Sequence, residues 1–574
     1  MTADDMPPVV SLPEGQRHGG KVLADQLSVL GVDTLFCVPG ESFLGLLDGL
    51  YDHRNHVRVV TCRHEAGAAN MADAYAKMTG KPGVCAVTRG PGATNASNGV
   101  HTAFQDSSPM ILLVGQVSRN VMDREAFQEM DYRRVFGEMA KWVAQIEDAA
   151  RIPEYLSRAF HVAQSGRPGP VVLALPEDIL SEVTQVQDCR PIDPPRSAPA
   201  PDQIERLLSA LDAATSPFMV VGGPRWSTRC CDLALKVAER FDLPVATSFR
   251  CQDYVDNGHP NYAGVIGIAA RPGLLKAVRE ETDFLLAVGP RFGEMTTQGY
   301  SLIDIPNPQM TLAHVHPGAD DLGHVYAPEI SIAADPELFL TALLDASDGH
   351  HSAPRAGRRS KLNAAFAAFR QPTEVPGALN MGEVIRHTSD TLPDDTIYTN
   401  GAGNYSVWLH RFHAHLAYRT QLAPTSGSMG YGVPAAVAGK LVAPTRTVVC
   451  VAGDGCFLMT AQEMATARRY DLPIIYLVVN NGMYGTIRMH QERTHPGRVV
   501  ATDLTNPDFV TYANAFGIPG ELVDRTEDYP DALARAQQSP TGYLIELRVD
   551  QEALTPSQSL SAARRQGEIK RDNR

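Results

Sequence analysis

Two clusters of residues have the types and spacing to do chemistry. In the last third of the chain, Gly453-Asp454-Gly455-Cys456-Phe457 follows the apolar run Thr447-Val448-Val449-Cys450-Val451-Ala452, and Asn480-Asn481-Gly482 ends a second run, Leu477-Val478-Val479. Each run is short and bounded by Gly, Pro or Asn, so each reads as a buried parallel strand. The acid and the amides then end neighbouring strands at the carboxyl edge of a sheet, where α/β folds bind ligands. A carboxylate and an amide oxygen suit a hard divalent cation. Glycines let backbone N–H groups approach an anion, and Leu458–Arg469 has room for a helix whose N-terminus faces it. Gly-Asp-Gly by itself also fits a strand–turn–helix with a capping Asp; the Asn pair at this spacing weighs against that. The second cluster is Arg63-His64-Glu65-Ala66, an acid at the start of a helix-like run, which by itself is an acid favoured by the helix dipole.

The elements around these clusters form a repeat. The first copy has a helix-like run Glu65–Met78, the strand Val84–Thr88, the turn Gly90-Pro91-Gly92, a helix over Ala96–Phe104, and Ser107-Ser108-Pro109 before the strand Met110–Val114. The second has a helix-like run Met429–Leu441, the strand Val448–Val451, Gly453-Asp454-Gly455, the helix to Arg469, and Asp471-Leu472-Pro473 before the strand Ile474–Val479. Two α/β domains of similar topology follow, with parallel strands and crossover helices. Between them, Phe218–Gly223 and Phe284–Gly289 are strands running into glycine turns. Linker composition at Arg190–Pro201 and Ser347–Arg359 places an N-terminal domain at 15–185, a central one at 200–345 and a C-terminal one at 365–550. The basic tail 557–574 reads as a disordered end or as a lid over the site.

Composition narrows the class. A chain of 574 residues is expected to hold about two to four domains. A net charge of −14 excludes bulk attraction to nucleic acid or an anionic membrane. Met1–Gln16 is polar and lacks the apolar core of a secretory signal, and no run reaches the ~18 apolar residues of a membrane span. The nine cysteines are an odd number, and Cys85 and Cys450 sit inside apolar strands; free buried thiols in a reducing cytoplasm are the expectation.

The arrangement resembles the thiamine diphosphate (ThDP)-dependent decarboxylase and carboligase superfamily, most closely its acetolactate synthase-like branch, over residues 18–555. The resemblance implies three α/β domains, each a mainly parallel sheet flanked by helices: two related ThDP-binding domains around a Rossmann-like central one. It implies a pyrimidine site on the N-terminal domain and a diphosphate site on the C-terminal one. The site is completed between subunits, so a homodimer is the minimum and a homotetramer the common assembly. Asp454, Asn481 and the carbonyl of Met483 would hold Mg2+, with Gly453, Gly455, Cys456, Tyr484 and Gly485 along the diphosphate. Glu65 aligns with the family's activating glutamate, which hydrogen-bonds the pyrimidine and promotes loss of the thiazolium C2 proton; burial that raises a carboxyl pKa suits this role.

Further motifs carry further residues. Pro39-Gly40-Glu41-Ser42, after the strand Thr34–Val38, is similar to the family's Pro-Gly turn near the active site and brings in Pro39 and, for the substrate pocket, Ser42. Gly90-Pro91-Gly92-Ala93-Thr94-Asn95 adds Gly92 and Asn95 as cofactor contacts. Gly115-Gln116-Val117 and Ala126-Phe127-Gln128-Glu129 add Gln116, Phe127 and Gln128 as catalytic candidates, the last two lining the pocket. Thr425–Gly432 resembles the segment that holds the pyrimidine: it contains Gly427, and Met429 matches the bulky residue that bends the cofactor. By type alone Met429 also serves as core filler. Gly401-Ala402-Gly403-Asn404-Tyr405 matches the second diphosphate loop, where the family often has Gln-His, so Asn404 and Tyr405 are altered donors. Thr486 and His490 join the pocket, His490 where acetolactate synthases usually carry a Trp. His64 is a supporting active-site candidate; His53 and His56 read as solvated.

FAD stays open. Pro290-Arg291-Phe292-Gly293-Glu294-Met295 only partly matches the family's FAD-contacting Arg-Phe-Asp-Asp-Arg element, with Met295 for the second Arg, and the Met-His-Gly element is replaced near Gly264-Val265-Ile266-Gly267. The implied activity is ThDP- and Mg2+-dependent decarboxylation of a 2-oxo acid with C–C bond formation, pyruvate being the lead donor. The alternatives are a ThDP-dependent lyase or hydrolase, an aldehyde carboligase, an acyl transfer to phosphate, or a non-catalytic cofactor-binding subunit. A dehydrogenase is disfavoured because no glycine turn gives a full Gly-x-Gly-x-x-Gly.

Overall fold

The computed structural model describes residues 13–349, 355 and 357–573. It contains three six-stranded sheets in which every pairing is parallel. The N-terminal sheet is built from Thr34–Cys37, Arg58–Thr61, Gly83–Val87, Met110–Gln116, Trp142–Gln145 and Pro170–Pro176. The C-terminal sheet is built from Ile397–Asn400, Gln421–Leu422, Val448–Gly453, Ile475–Asn480, Gly520–Val523 and Tyr543–Arg548. Numbered along the chain, the strands of both sheets follow the order 2-1-3-4-6-5, so the repeat read from the sequence is a repeat of topology. The central sheet (217–333) follows 3-2-1-4-5-6, a doubly wound order whose switch point lies between Pro217–Val221 and Phe284–Val288. The inner strands are apolar and buried on both faces, as crossover helices require.

The element limits differ from the sequence reading where backbone groups find other partners. The helix expected over Leu458–Arg469 is broken. A short helix begins at Asp454 itself and ends at Phe457, and Met464–Arg469 resumes after a tight turn. The break falls at Thr460, whose backbone leaves the helical region (φ −141°) and whose hydroxyl donates to the Gly430 carbonyl at 2.6 Å. The helix expected from Met429 starts at Gly432, because Gly427 and Gly430 adopt positive φ (70° and 78°). The helix expected over Ala96–Phe104 runs from Pro91 to Asp106, with proline in its first turn. His53 is not solvated: its Nε2 lies 2.7 Å from an Asp25 oxygen. The reading of Met1–Gln16 falls outside the described residues up to position 12, and that of Ser347–Arg359 at 350–354 and 356. Among the described residues no helix is long and apolar enough to cross a membrane.

The tail is a helix, Leu560–Asp572, docked on the helix Gly485–Thr494. Ala563 is buried, and a Cβ on Gly567 would lie 2.2 Å from the Glu492 carbonyl oxygen. Arg564 donates to both Glu492 carboxylate oxygens (2.6 and 3.0 Å), and this contact comes first among the causes holding that acid at a pKa of about 2.

The central and C-terminal domains are sewn together by Arg250–Asn257. Asp253 accepts from the backbone of Thr420 and Gln421, Gln252 donates to the His410 carbonyl, and Asn257 and His415 exchange backbone and side-chain bonds. Beside this seam lie three buried histidines. His413 packs on Tyr398 (4.0 Å between ring centroids) and on His415 (4.4 Å), and His410 lies 3.4 Å from the Asn400 amide oxygen. Burial keeps all three neutral: His415 is pushed down to about 3, and His410 and His413 fall well below 6.5, helped by Arg250, Arg370 and one another. A histidine in the unfolded chain still takes up its proton near 6.5. The unfolded state therefore binds more protons below that pH, and stability falls as pH drops through 6.5, by roughly 1.4 kcal/mol per pH unit for each histidine. Thermal melts should show a steep loss of Tm between about pH 6.5 and 5, reduced in His413→Asn/His415→Asn; a flat profile in the parent would show that the cluster is not buried neutral.

Candidate functional site

The C-terminal cluster assembles where Val448–Gly453 and Ile475–Asn480 end side by side. Asp454 is the first residue of its short helix and is 3% exposed. One carboxylate oxygen accepts from Gly455 N (2.9 Å); the other accepts from Gly482 N (2.9 Å) and Asn506 Nδ2 (2.8 Å). These partners are neutral amides. Burial raises the Asp454 pKa against their pull, so the corner holds a desolvated acid that a cation would relieve. Asn481 stands beside it with its amide oxygen 3.2 Å from Met483 N. The Met483 carbonyl accepts from Gly485 N at 2.9 Å, and Tyr484 N is tied to the Thr502 carbonyl. Carboxylate, amide oxygen and carbonyl are the ligands a hard divalent cation takes, so the set fits Mg2+.

The glycines of this corner are close-packed against aromatic rings. A Cβ on Gly453 would lie 2.8 Å from the Tyr405 ring, one on Gly403 2.8 Å from the same ring, and one on Gly455 2.6 Å from Tyr484. Tyr405 is buried, and its hydroxyl accepts from Gly401 N (3.0 Å) and pairs with Cys456 Sγ at 3.1 Å. The Tyr405 hydroxyl is thus taken up within the chain, and its ring lies behind the glycines of this corner. Asn404 keeps a half-buried amide, and Thr486 bridges to both its N–H and its amide oxygen (2.9 and 3.0 Å). Met429 packs at the margin of the Tyr405–Cys456 core. Gly427 and His490 are exposed.

The N-terminal cluster gathers around Glu65. Its Oε2 accepts from Asn95 Nδ2 (3.0 Å), and its Oε1 is 3.3 Å from where a Gly92 Cβ would stand. The strained backbone of Gln128 (φ 67°) packs on Gly90, and Phe127 beside it is 72% exposed. His64 caps the helix, its Nδ1 accepting from Ala66 N at 3.1 Å. Gln116 is likewise committed, to the Met130 carbonyl (2.8 Å) and Val117 N (3.0 Å). Ser42 is buried with its hydroxyl on Thr88 (2.8 Å), and Pro39 is exposed on the preceding turn. The two clusters sit on different domains. Within the chain they are linked by Ser428, which donates to Asn98 (3.2 Å), one turn beyond Asn95.

Four residues here were not read from the sequence. Asn506 bridges Asp454 and Asn480 from a loop without periodic signal. Buried Glu463 accepts from Arg63 N and His64 N (3.1 and 3.0 Å), holding the start of the Glu65 helix from the other domain. Arg89 joins the turn at Glu41, the acid Glu177 and the Phe127 carbonyl. Arg250 reaches the Gly401 carbonyl from the central domain.

Comparison with known proteins finds one family along most of the chain. Residues 17–135 match the N-terminal TPP binding domain of thiamine pyrophosphate enzymes, 204–343 their central domain, and 401–547 their C-terminal TPP binding domain. The chain is 33% identical to an acetolactate synthase large subunit of Parasynechococcus marenigrum, over 92% of this chain and 87% of that one. It is 32% identical to the Corynebacterium glutamicum acetolactate synthase large subunit (91% and 84% covered). It is 30% identical to the acetolactate synthase isozyme 2 large subunit of Escherichia coli (93% and 96%).

Asn506→Leu removes the side-chain donor to a buried carboxylate and should cost about 1–3 kcal/mol in urea unfolding. Unchanged stability would mean that Asp454 is held by the backbone alone.

Proposed function

This chain belongs to the thiamine pyrophosphate enzyme family, in its acetolactate synthase-like branch, and from that premise we propose a ThDP- and Mg2+-dependent enzyme that decarboxylates a 2-oxo acid and joins the two-carbon or larger acyl unit to a second carbonyl compound. Pyruvate is the lead donor. The observation that carries the reading is the Glu65 carboxylate, held by Asn95 at the Gly92 turn, in a chain that also holds a buried acid with only amide partners at Asp454. The relatives named above are acetolactate synthases, which supports the carboligase reading over a lyase, a hydrolase or a silent subunit.

ThDP, when bound, supplies the electron sink for loss of CO2. The chain's own residues do the rest. Glu65 would hold a proton at the pyrimidine ring, with Asn95 fixing the carboxylate's orientation. Asp454, Asn481 and the Met483 carbonyl would hold Mg2+. The N–H groups around Gly453–Cys456 and the Asn404 amide would face the diphosphate. Phe127, Gln128, Thr486 and His490 would border the acceptor. We place the N-terminal, central and C-terminal domains at 15–185, 200–345 and 365–550, and the enzyme in the cytoplasm, where nine free thiols are at home. A homodimer is supported by exposed apolar side chains beside the site: Phe127, Leu458, Met459 and Ile487.

A cavity of about 880 Å3 lies at the switch point of the central sheet, between Gly223, Arg291 and the Gly403–Asn404 loop. It has the position of a nucleotide site, but the residues fit FAD poorly. Arg291 is engaged by Asp321 (3.2 Å) and the Gln105 carbonyl (3.0 Å), and Met295 replaces the second arginine. We therefore propose that activity does not require FAD.

Incubation with ThDP, Mg2+ and pyruvate, with and without FAD, should give acetolactate by mass spectrometry at equal rates. Intact pyruvate would move the donor to other 2-oxo acids; a strict FAD requirement would reverse the flavin reading. Glu65→Gln should lower kcat by 100-fold or more with ThDP affinity within about 3-fold, and full activity would remove the proposed role. Asp454→Ala should abolish Mg2+-dependent ThDP binding measured by calorimetry.

A further inference from the structure

We propose that Arg250, a central-domain residue, positions the diphosphate loop and supplies the positive side-chain charge behind it; this rests on the ThDP reading above. Arg250 follows the strand Val245–Thr247 and is 7% exposed. Its backbone is left-handed (φ 61°), a conformation a non-glycine residue keeps where surrounding structure imposes it. One terminal nitrogen donates to the Gly401 carbonyl at 2.8 Å and the other to the Pro424 carbonyl. Those two carbonyls begin the two segments that matter: Gly401–Tyr405, and the Thr425–Gly432 stretch after Pro424.

The charge of Arg250 lacks a counterion. Both bonds go to neutral carbonyls, its Nε has no partner, and among the described residues it forms no ion pair. Asp106, the acid acting on it from a distance, is committed to Lys77 and Thr425. An uncompensated buried guanidinium is costly and marks a place where negative charge arrives. A short path leads from it to the Asp454 helix. The Gly401 carbonyl accepts from Arg250, and Gly401 itself packs on Cys456, where an added Cβ would stand 2.6 Å from the sulfur. Cys456 belongs to the helix that Asp454 begins. The guanidinium thus stands behind the loop that packs on this helix, and in a water-poor interior its charge acts on an anion at the helix start, where the diphosphate would lie.

The role of Arg250 as charge and clamp is separable from mere packing. Arg250→Gln keeps amide donors without the charge; Arg250→Lys keeps the charge with fewer donors. Binding would be followed by calorimetry with Mg2+, using ThDP and, as a ligand without phosphates, thiamine. ThDP affinity should fall about 10-fold or more in Arg250→Gln, stay within about 3-fold in Arg250→Lys, and thiamine affinity should change less than about 2-fold in both. Equal ThDP affinity in Arg250→Gln and the parent, or parallel losses for ThDP and thiamine, would overturn the proposal. If Arg250→Gln fails to fold, inorganic pyrophosphate with Mg2+ decides. It should raise the Tm of the parent and of Arg250→Lys alike, and a rise confined to the parent would overturn the charge role. A parent protein that binds no ThDP would overturn the proposed function as well, whereas a binding parent with an indifferent Arg250→Gln overturns only this inference.

Discussion

A carboxylate from one domain placed on the amides just ahead of a helix in another is the contact on which the site depends. Glu463 has a fully buried carboxylate that accepts from the backbone of Arg63 and His64 and from Thr466. Those N–H groups precede the Glu65 helix and have no helical carbonyl to bond. Burial raises the pKa of Glu463, and the amides and hydroxyl oppose the rise. The fit leaves no space: a Cβ on Gly67 would stand 2.4 Å from a Glu463 oxygen. The helix that carries Glu65 is thus fixed at its origin by the domain that carries Asp454. Its flank is fixed by Gly432–Val442, which packs against it in one shared core.

What the sequence made legible follows from what is local. The buried parallel strands, the glycine turns at their ends, and the acids and amides at the sheet edge all have short-range signatures, and all stand where they were expected. The repeat was legible for the same reason, since two half-chains with one topology must punctuate their strands alike. Contacts across domains were not legible. Asn506 is one asparagine before a proline, Glu463 one glutamate in an amphipathic stretch, and Arg250 one arginine after a strand; each acquires its role from a group that is distant along the chain or sits in another domain. Helix limits failed where the backbone leaves the helical region for a contact distant in sequence, as at Thr460 beside Gly430. The tail was misjudged in part because its basic residues suggested solvent, while Arg564 has a buried acid to meet in Glu492.

The central domain has more than a spacer's part. Its sheet opens a cavity at the switch point, and its Arg250–Asn257 segment is bonded to the C-terminal domain through backbone and side chains together. The same segment borders the cavity and the Gly401–Tyr405 loop. A ligand in the one and a cofactor at the other would thus share a wall made of a few residues, and a change in that wall acts on both.

The tyrosines packed on the cradle glycines bear on how this chain can change over generations. Gly403 and Gly453 have no room for a methyl group while Tyr405 fills the space beside them, and Gly455 has none while Tyr484 stands there. An alanine arising first at Gly453 meets a clash; the same alanine arising after the Tyr405 ring has shrunk loses it, whereas Gly403 stays closed to any side chain by its positive φ of 150°. The order of substitution therefore matters more than the set. A lineage that exchanged Tyr405 for a smaller residue would gain routes to new loop chemistry that are closed to this one, and reversion of the ring would be barred once a glycine had been lost.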